Sequence, residues 1–264
     1  MKYAWLGRVF PVLLPLVFVI TPHEARALAV DVELMLLIDV SSSINDSTEY
    51  PLQMQGYRDA FNDPRVLSAI QGGELGRIAV RADFWSSDDQ FETAVDWMVI
   101  DDAAGAAAFA AAIGNADRPF GGLTAPGHAI IQGMFNFDNE FESNRQVIDI
   151  SGDGAQNDGV HVDTAVAFAL SYGVDTINAL AIEGDKLAMI DGSADYPGQT
   201  VGDWYDEHLK AGDDAFVMQV SSFEDFGDAI TEKIEREIAV VPLPGAVWLF
   251  GFGLLAMLRF VRRV

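Results

Sequence analysis

Val32-Glu33-Leu34-Met35-Leu36-Leu37-Ile38-Asp39-Val40-Ser41-Ser42-Ser43 is the stretch on which the reading of this chain turns. Residues 32–40 form a nearly continuous apolar run, as expected of a central strand buried on both faces rather than one with a wet side. The run ends in a carboxylate, and two hydroxyls follow at alternate positions. Alternate residues of an extended segment point the same way, so Asp39, Ser41 and Ser43 can converge where the chain leaves the sheet. All three present hard oxygen atoms, which suits Mg²⁺, Mn²⁺ or Ca²⁺ and not a soft metal. Taken alone, the same residues also describe an ordinary strand-to-helix turn with a capping serine.

Outward from this strand the pattern alternates. Residues 47–70 follow with helical spacing, Tyr50, Met54, Tyr57 and Phe61 falling on one face. Residues 77–85 and 91–100 read as strands joined by the polar turn Ser86-Ser87-Asp88-Asp89. Helices are expected over 103–113, 127–137, 160–172, 200–210 and 223–239, and strands over 146–150, 174–182 and 215–220. This alternation predicts one α/β domain over residues 28–240: a doubly wound, mostly parallel sheet with helices on both faces, plus terminal hydrophobic helices. Such sheets bind ligands at the carboxyl ends of their strands.

Two later segments belong to the same edge in this reading. Gly121-Gly122-Leu123-Thr124-Ala125-Pro126-Gly127 is a glycine-rich loop that opens a helix and carries a hydroxyl at its middle. Val147-Ile148-Asp149-Ile150-Ser151-Gly152-Asp153-Gly154 is an apolar strand ending in an acidic residue between glycines. D-x-S-x-S, then G-G-x-T, then S-G-D-G, in that order across residues 30–238, resembles the von Willebrand factor A-type domain and its metal-ion-dependent adhesion site, here of an uncharacterised bacterial subgroup. The resemblance implies that Asp39, Ser41, Ser43, Thr124 and Asp153 hold a divalent cation, Mg²⁺ or else Mn²⁺ or Ca²⁺. One departure is visible: Gly152 stands before Asp153 where the family more often has T-D-G.

An Mg²⁺ ion wants about six oxygens. The five residues leave a position for a carboxylate from a partner, and neutral hydroxyls leave the ion cationic enough to attract one. The implied function is non-catalytic recognition of an acidic group on a protein or polysaccharide. Two rivals stand beside it. A Mg²⁺-dependent phosphohydrolase would use Asp39 as nucleophile, but that chemistry expects a second Asp where Ser41 stands. A structural matrix protein would use the metal only to hold three loops. A serine hydrolase has no G-x-S-x-G elbow and no His partner here.

The ends of the chain read as addresses. Lys2 and Arg8, the 12-residue apolar run Val9–Ile20 and Ala25-Arg26-Ala27 make residues 1–27 a secretory signal peptide. Residues 238–258 carry no charge and are long enough to cross a bilayer, and Arg259, Arg262 and Arg263 follow. Before them stands Val241-Pro242-Leu243-Pro244. Residues 241–264 thus resemble the C-terminal sorting signals read by exosortases, with Gly245 in place of the alanine of V-P-L-P-A. This implies an exosortase-type processing partner, membrane anchoring through the C-terminal helix, and delivery to the cell surface or matrix.

The whole chain carries a formal charge of −24, and residues 28–244 alone keep 10 Lys/Arg against 39 Asp/Glu. Nucleic acid is excluded as a partner on that balance, since binding it rests on cations that neutralise phosphates. The absence of Cys removes disulfides, thiolate metal sites and Cys nucleophiles. Asp83, Asp88, Asp89, Asp96, Asp101 and Asp102 read as solvated turns, and Trp85, Trp97 and Trp204 as core. Asn157, Asp158 and His161 either line the ligand face or cap the following helix, and His128 reads as a surface or capping histidine.

Overall fold

The computed structural model describes residues 27–183 and 199–239. The signal-peptide reading of residues 1–27, all but its last residue, lies outside them, as do the V-P-L-P signal and residues 240–258 of the uncharged segment. Ile238 and Ala239, which begin that segment in the sequence, belong instead to the last helix of the domain, with Ile238 in the core. Among the described residues no helix is long and apolar enough to cross a membrane.

The central strand is β2 (Glu33–Asp39), buried along its whole length. It pairs in parallel with β3 (Ile78–Trp85) on one side and with β6 (Gln146–Gly152) on the other. Beyond β6 come β7 (Thr176–Ile182) and β9 (Val217–Val220), both parallel, while β8 (Ala211–Gly212) adds a short antiparallel pairing to the start of β7. At the far edge β4 (Phe91–Ile100) runs antiparallel to β3, so the two strands of the 86–89 turn form a hairpin. A separate two-stranded ladder joins β1 (Leu28–Ala29) to β5 (Phe141–Glu142).

Successive side chains of β2 point to opposite faces and feed two cores. Leu34, Leu36 and Ile38 pack under α1 (Glu49–Asn62), α2 (Pro64–Gln71), α3 (Ala103–Gly114) and α7 (Phe226–Ala239). Met35 and Leu37 pack under α4 (Pro126–Phe135), α5 (Val162–Tyr172) and α6 (Val201–His208). Each such buried side chain stabilises the fold by about 1.5–3 kcal/mol. The expected parallel sheet with helices on both faces is therefore what the chain builds.

Residues 47–70 do not form one helix. Asp63 adopts an extended backbone (φ −74°, ψ 129°), Pro64 begins α2, and the Asp63 carboxylate accepts the Arg65 amide at 2.8 Å. A residue before proline avoids the helical region, and proline fits the first position of a new helix, so the break falls there. Asp83 corrects a second expectation. It lies in β3, fully buried, with Arg81 Nε at 2.8 Å. Asp102 is the N-cap of α3.

A charged cluster lies wholly inside the domain. Lys233 of α7 pairs with Asp149 in the middle of β6 and, at 2.6 Å, with Glu237 one turn on; all three side chains are completely buried. Burial first, and the charge of Asp149 second, push the Glu237 carboxyl up to about 8. Arg145 donates to the Glu237 carbonyl at 2.9 Å, which ties the end of α7 to the start of β6.

Candidate metal centre

The chain runs from β2 out to β3 and β4 on one side, then returns to β6, β7 and β9 on the other. The crevice between β2 and β6 is thus the switch point of the sheet, where strand ends diverge and loops leave a depression. Asp39 is the last residue of β2, and Asp153 follows the last residue of β6.

Asp39 is completely buried, and its Oδ1 accepts the Ser41 amide at 2.7 Å. This short turn brings Ser41 Oγ to 3.0 Å from Ser43 Oγ, which in turn donates to Asp153 Oδ1 at 2.6 Å. Thr124, 5% exposed, faces them from the third loop, its Oγ1 3.9 Å from where a Cβ on Gly154 would stand. The three loops singled out in the sequence therefore meet at one edge. Asp39 Oδ2 has no hydrogen-bond partner among the described residues.

Gly152 explains the departure from T-D-G. A Cβ there would lie 2.7 Å from Asp39 Oδ2 and 2.6 Å from Tyr205 Oη, closer than real Cβ contacts come. Glycine lets the β6 loop close directly against the carboxylate.

Five residues outside the motifs brace the site. Arg118 donates to the carbonyls of Val40 (2.7 Å), Ser41 (2.6 Å) and Ile44 (2.9 Å), and pairs with Asp46. One guanidinium thereby holds the backbone of the whole first loop. Ser86 Oγ donates to the Leu123 carbonyl at 2.8 Å, and Ser87 Oγ accepts the Leu123 amide at 2.9 Å, so the β3–β4 turn supports the Thr124 loop. Gly122 has no room for a Cβ beneath these serines, which would stand 2.4 Å from Ser87 Oγ. Asn157 Oδ1 accepts the Thr124 amide at 2.8 Å. Tyr205 of α6, completely buried, donates to the Gly154 carbonyl at 3.2 Å.

Asn157 and Asp158 therefore neither cap a helix nor simply line a face. Asp158 accepts the Asp88 amide at 3.0 Å, and His161 is the residue that precedes α5. His128 is half-buried in the first turn of α4. Trp85 and Trp204 are in the core and Trp97 is half-buried against Phe137.

Arg118 carried a signal that the motif reading passed over, since it is the lone Lys or Arg between Arg81 and Arg145. Tyr205 had none, because its partners lie about fifty residues away in the chain.

Electrostatically the site is strained toward a cation. Burial above all, and then the charge of Asp153, push the Asp39 carboxyl up to about 8, against hydrogen bonds from Ser41 and the distant help of Arg118. No group of three or more His, Asp or Glu suited to a metal occurs among the described residues. The donor set is two carboxylates and three hydroxyls, all oxygen, with one buried carboxylate oxygen unanswered. That combination suits a hard divalent cation and not a soft one.

The comparisons with known proteins bear on the fold and the family. Proximal thread matrix protein 1 from the mussel byssus, solved with a zinc-occupied MIDAS motif, matches with a TM-score of 0.50 and 16% identity over 81% of this chain and 47% of its own. The pilus adhesin SpaC from Lactobacillus rhamnosus GG, in its open conformation, matches with a TM-score of 0.56 and 15% identity, covering 80% of this chain and 30% of its own. A von Willebrand factor type A protein from Catenulispora acidiphila matches with a TM-score of 0.50 and 18% identity, covering 80% of this chain and 43% of its own. The chain thus spans less than half the length of these structures, and it shares the von Willebrand A-type fold with them. A search of curated proteins finds no match. Residues 29–242 match the family described as "Protein of unknown function (DUF1194)", and the chain belongs to that family.

Proposed function

We propose that this domain is a metal-dependent binding module. Asp39, Ser41, Ser43, Thr124 and Asp153 hold a divalent cation, Mg²⁺ by preference, and the cation captures a carboxylate on a partner. The observation that carries this reading is Asp39 Oδ2, a buried carboxylate oxygen without a hydrogen-bond partner at the meeting point of three oxygen-bearing loops. A buried anion left unanswered is costly, and a cation taken from solution offsets that cost. The hydroxyl donors add no charge, so the ion stays electrophilic toward an anion.

Support of a weaker kind comes from the fold neighbours, an adhesin and a matrix protein among them, one with a metal in the corresponding motif. The signal-type pattern of residues 1–27 and the tripartite pattern of residues 241–264 support an exported protein held at, or released from, the membrane at the cell envelope or surface. The role is binding rather than catalysis. Asp39 is completely buried and turned onto the Ser41 amide, a poor posture for a nucleophile.

The test is a Mg²⁺ titration of the purified chain followed by thermal denaturation, with Asp39→Ala and Asp153→Ala beside the parent. Mg²⁺ is expected to raise the parent's midpoint and leave both variants unmoved. An equal rise in Asp39→Ala sinks the reading, and robust Mg²⁺-dependent phosphomonoester turnover replaces it with an enzyme.

A further inference from the structure

Resting on the metal reading above, the charge around the site narrows the kind of partner. The described loops of this edge expose six carboxylates besides the metal pair: Asp46, Asp88, Asp89, Asp117, Glu224 and Asp225. Against them the same described loops carry one Lys or Arg, Arg118, already engaged by three loop carbonyls and Asp46. A bound divalent ion answers only Asp39 and Asp153. The rim therefore stays strongly negative with the metal in place, and such a field repels a ligand carrying many like charges.

The same rim is not uniformly polar. Leu123, beside Thr124, is 52% exposed, and Val160 is 40% exposed. The two loops touch, since a Cβ on Gly159 would lie 3.1 Å from Ala125 Cβ. On the other flank of the D-V-S-S-S loop lies an open cleft of about 750 Å³, lined among others by Asn45, Asp46, Ser47, Tyr50, Arg118 and Phe120. Tyr50 and Phe120 add two aromatic rings there, and the Asp46 carboxylate is already paired with Arg118.

We infer that the partner is a protein segment carrying one metal-seeking carboxylate flanked by Lys or Arg and an apolar side chain. A polyanion such as a polyuronate chain does not fit. The metal takes the carboxylate, the acidic rim takes the flanking cations, and Leu123 with Val160 takes the apolar residue. Attraction from the rim acts over a Debye length, so it sets encounter rate and discrimination more than the depth of the final contact.

The experiment uses the full chain in detergent with saturating Mg²⁺ and three probes. They are a labelled peptide with one Asp flanked by Lys and Leu, the same peptide with Glu in place of Lys, and a polyuronate chain. The Lys-flanked peptide is expected to bind at least ~10-fold more tightly than the Glu-flanked one, and the gap is expected to shrink several-fold between about 0.05 and 0.5 M salt. The double reversal Asp89→Lys with Asp117→Lys is expected to erase the preference. Thermal shift with Mg²⁺, read in parallel on every sample, reports the metal separately. If that shift is absent the metal reading fails. If it is present and the two peptides bind equally, or neither binds, or the polyuronate binds tightest, the metal reading stands and this inference is overturned.

Discussion

Two acidic clusters lie along β6 and its neighbours, one in the middle of the strand and one at its end, and they are balanced in opposite ways. Asp149 and Glu237 share a buried cation that is part of the chain, Lys233. Asp39, at the end of β2, keeps one carboxylate oxygen without a hydrogen-bond partner among the described residues, and Arg118 spends its donors on loop carbonyls and Asp46. Both clusters push a carboxyl up to about 8, with burial as the main cause. The difference lies in where the countercharge comes from. A covalent cation makes the inner cluster permanent. On the proposed reading the outer cluster would take one from solution, which would make its charge state a function of ion concentration.

Removing the covalent cation is expected to have the largest effect. Lys233→Met leaves Asp149 and Glu237 facing each other in the core and should lower folding stability by about 3–5 kcal/mol. Urea denaturation measures it, and Mg²⁺ should restore none of the loss. A loss under ~1 kcal/mol would mean that the inner cluster carries little charge.

Supplying the exchangeable cation comes next. Mg²⁺ at about 100 times its dissociation constant should stabilise the parent by ~2.7 kcal/mol, since it binds the folded state alone. Asp39→Asn should lose that response while standing at least as stable as the parent in chelator, because an amide oxygen can still accept the Ser41 amide and the group that must ionise as pH rises is gone. A less stable Asp39→Asn would break the comparison.

Gly152→Ala tests the close approach at the outer cluster. It should cost about 1–3 kcal/mol and abolish the Mg²⁺ response, as overpacking displaces the Asp39 carboxylate or Tyr205. Gly154→Ala is the control: its Cβ would meet nothing nearer than 3.9 Å, so the Mg²⁺ response should survive.

The smallest effect, taken per pH unit, is a slope in pH. A carboxyl whose pKa is raised on folding favours the folded state while it keeps its proton, below about 4, and that contribution is lost as pH rises through about 8. In chelator, stability should therefore fall between about pH 5 and 8, by at most ~1.4 kcal/mol per pH unit for each group. Asp39→Asn and Glu237→Gln should each flatten the slope. Mg²⁺ should remove the share of Asp39 and leave that of Glu237, which denaturation at several pH values with and without the ion will resolve.

Much of this molecule was legible from short segments. The apolar run of β2, buried on both faces, is enough to demand helices above and below a parallel sheet. Asp39, Ser41 and Ser43 lie at or beside the end of β2 and Asp153 beside the end of β6, so local pattern and topology sufficed to bring them to one edge; Thr124 precedes α4, and its loop is held there by Ser86 and Ser87. What escaped was non-local. Lys233 and Glu237, four apart on an amphipathic helix, look like a surface pair, and only the distant Asp149 shows that they are internal. Asp83 is the local exception: Arg81, two positions away in β3, lies on the same face and pairs with it. The break at Asp63-Pro64 was readable from proline chemistry but was outweighed by an unbroken apolar stripe.

The small β1–β5 ladder and the Arg145–Glu237 tie place both described ends of the domain at the amino edge of the sheet, opposite the Asp39 loops. Tension between a partner gripped at one pole and a chain held at the other would run lengthwise along β2 and its neighbours. Parallel strands pulled this way are loaded in shear, so their ladders share the force together instead of opening rung by rung. The sheet that sets out the oxygen ligands is thus also oriented as a tension member.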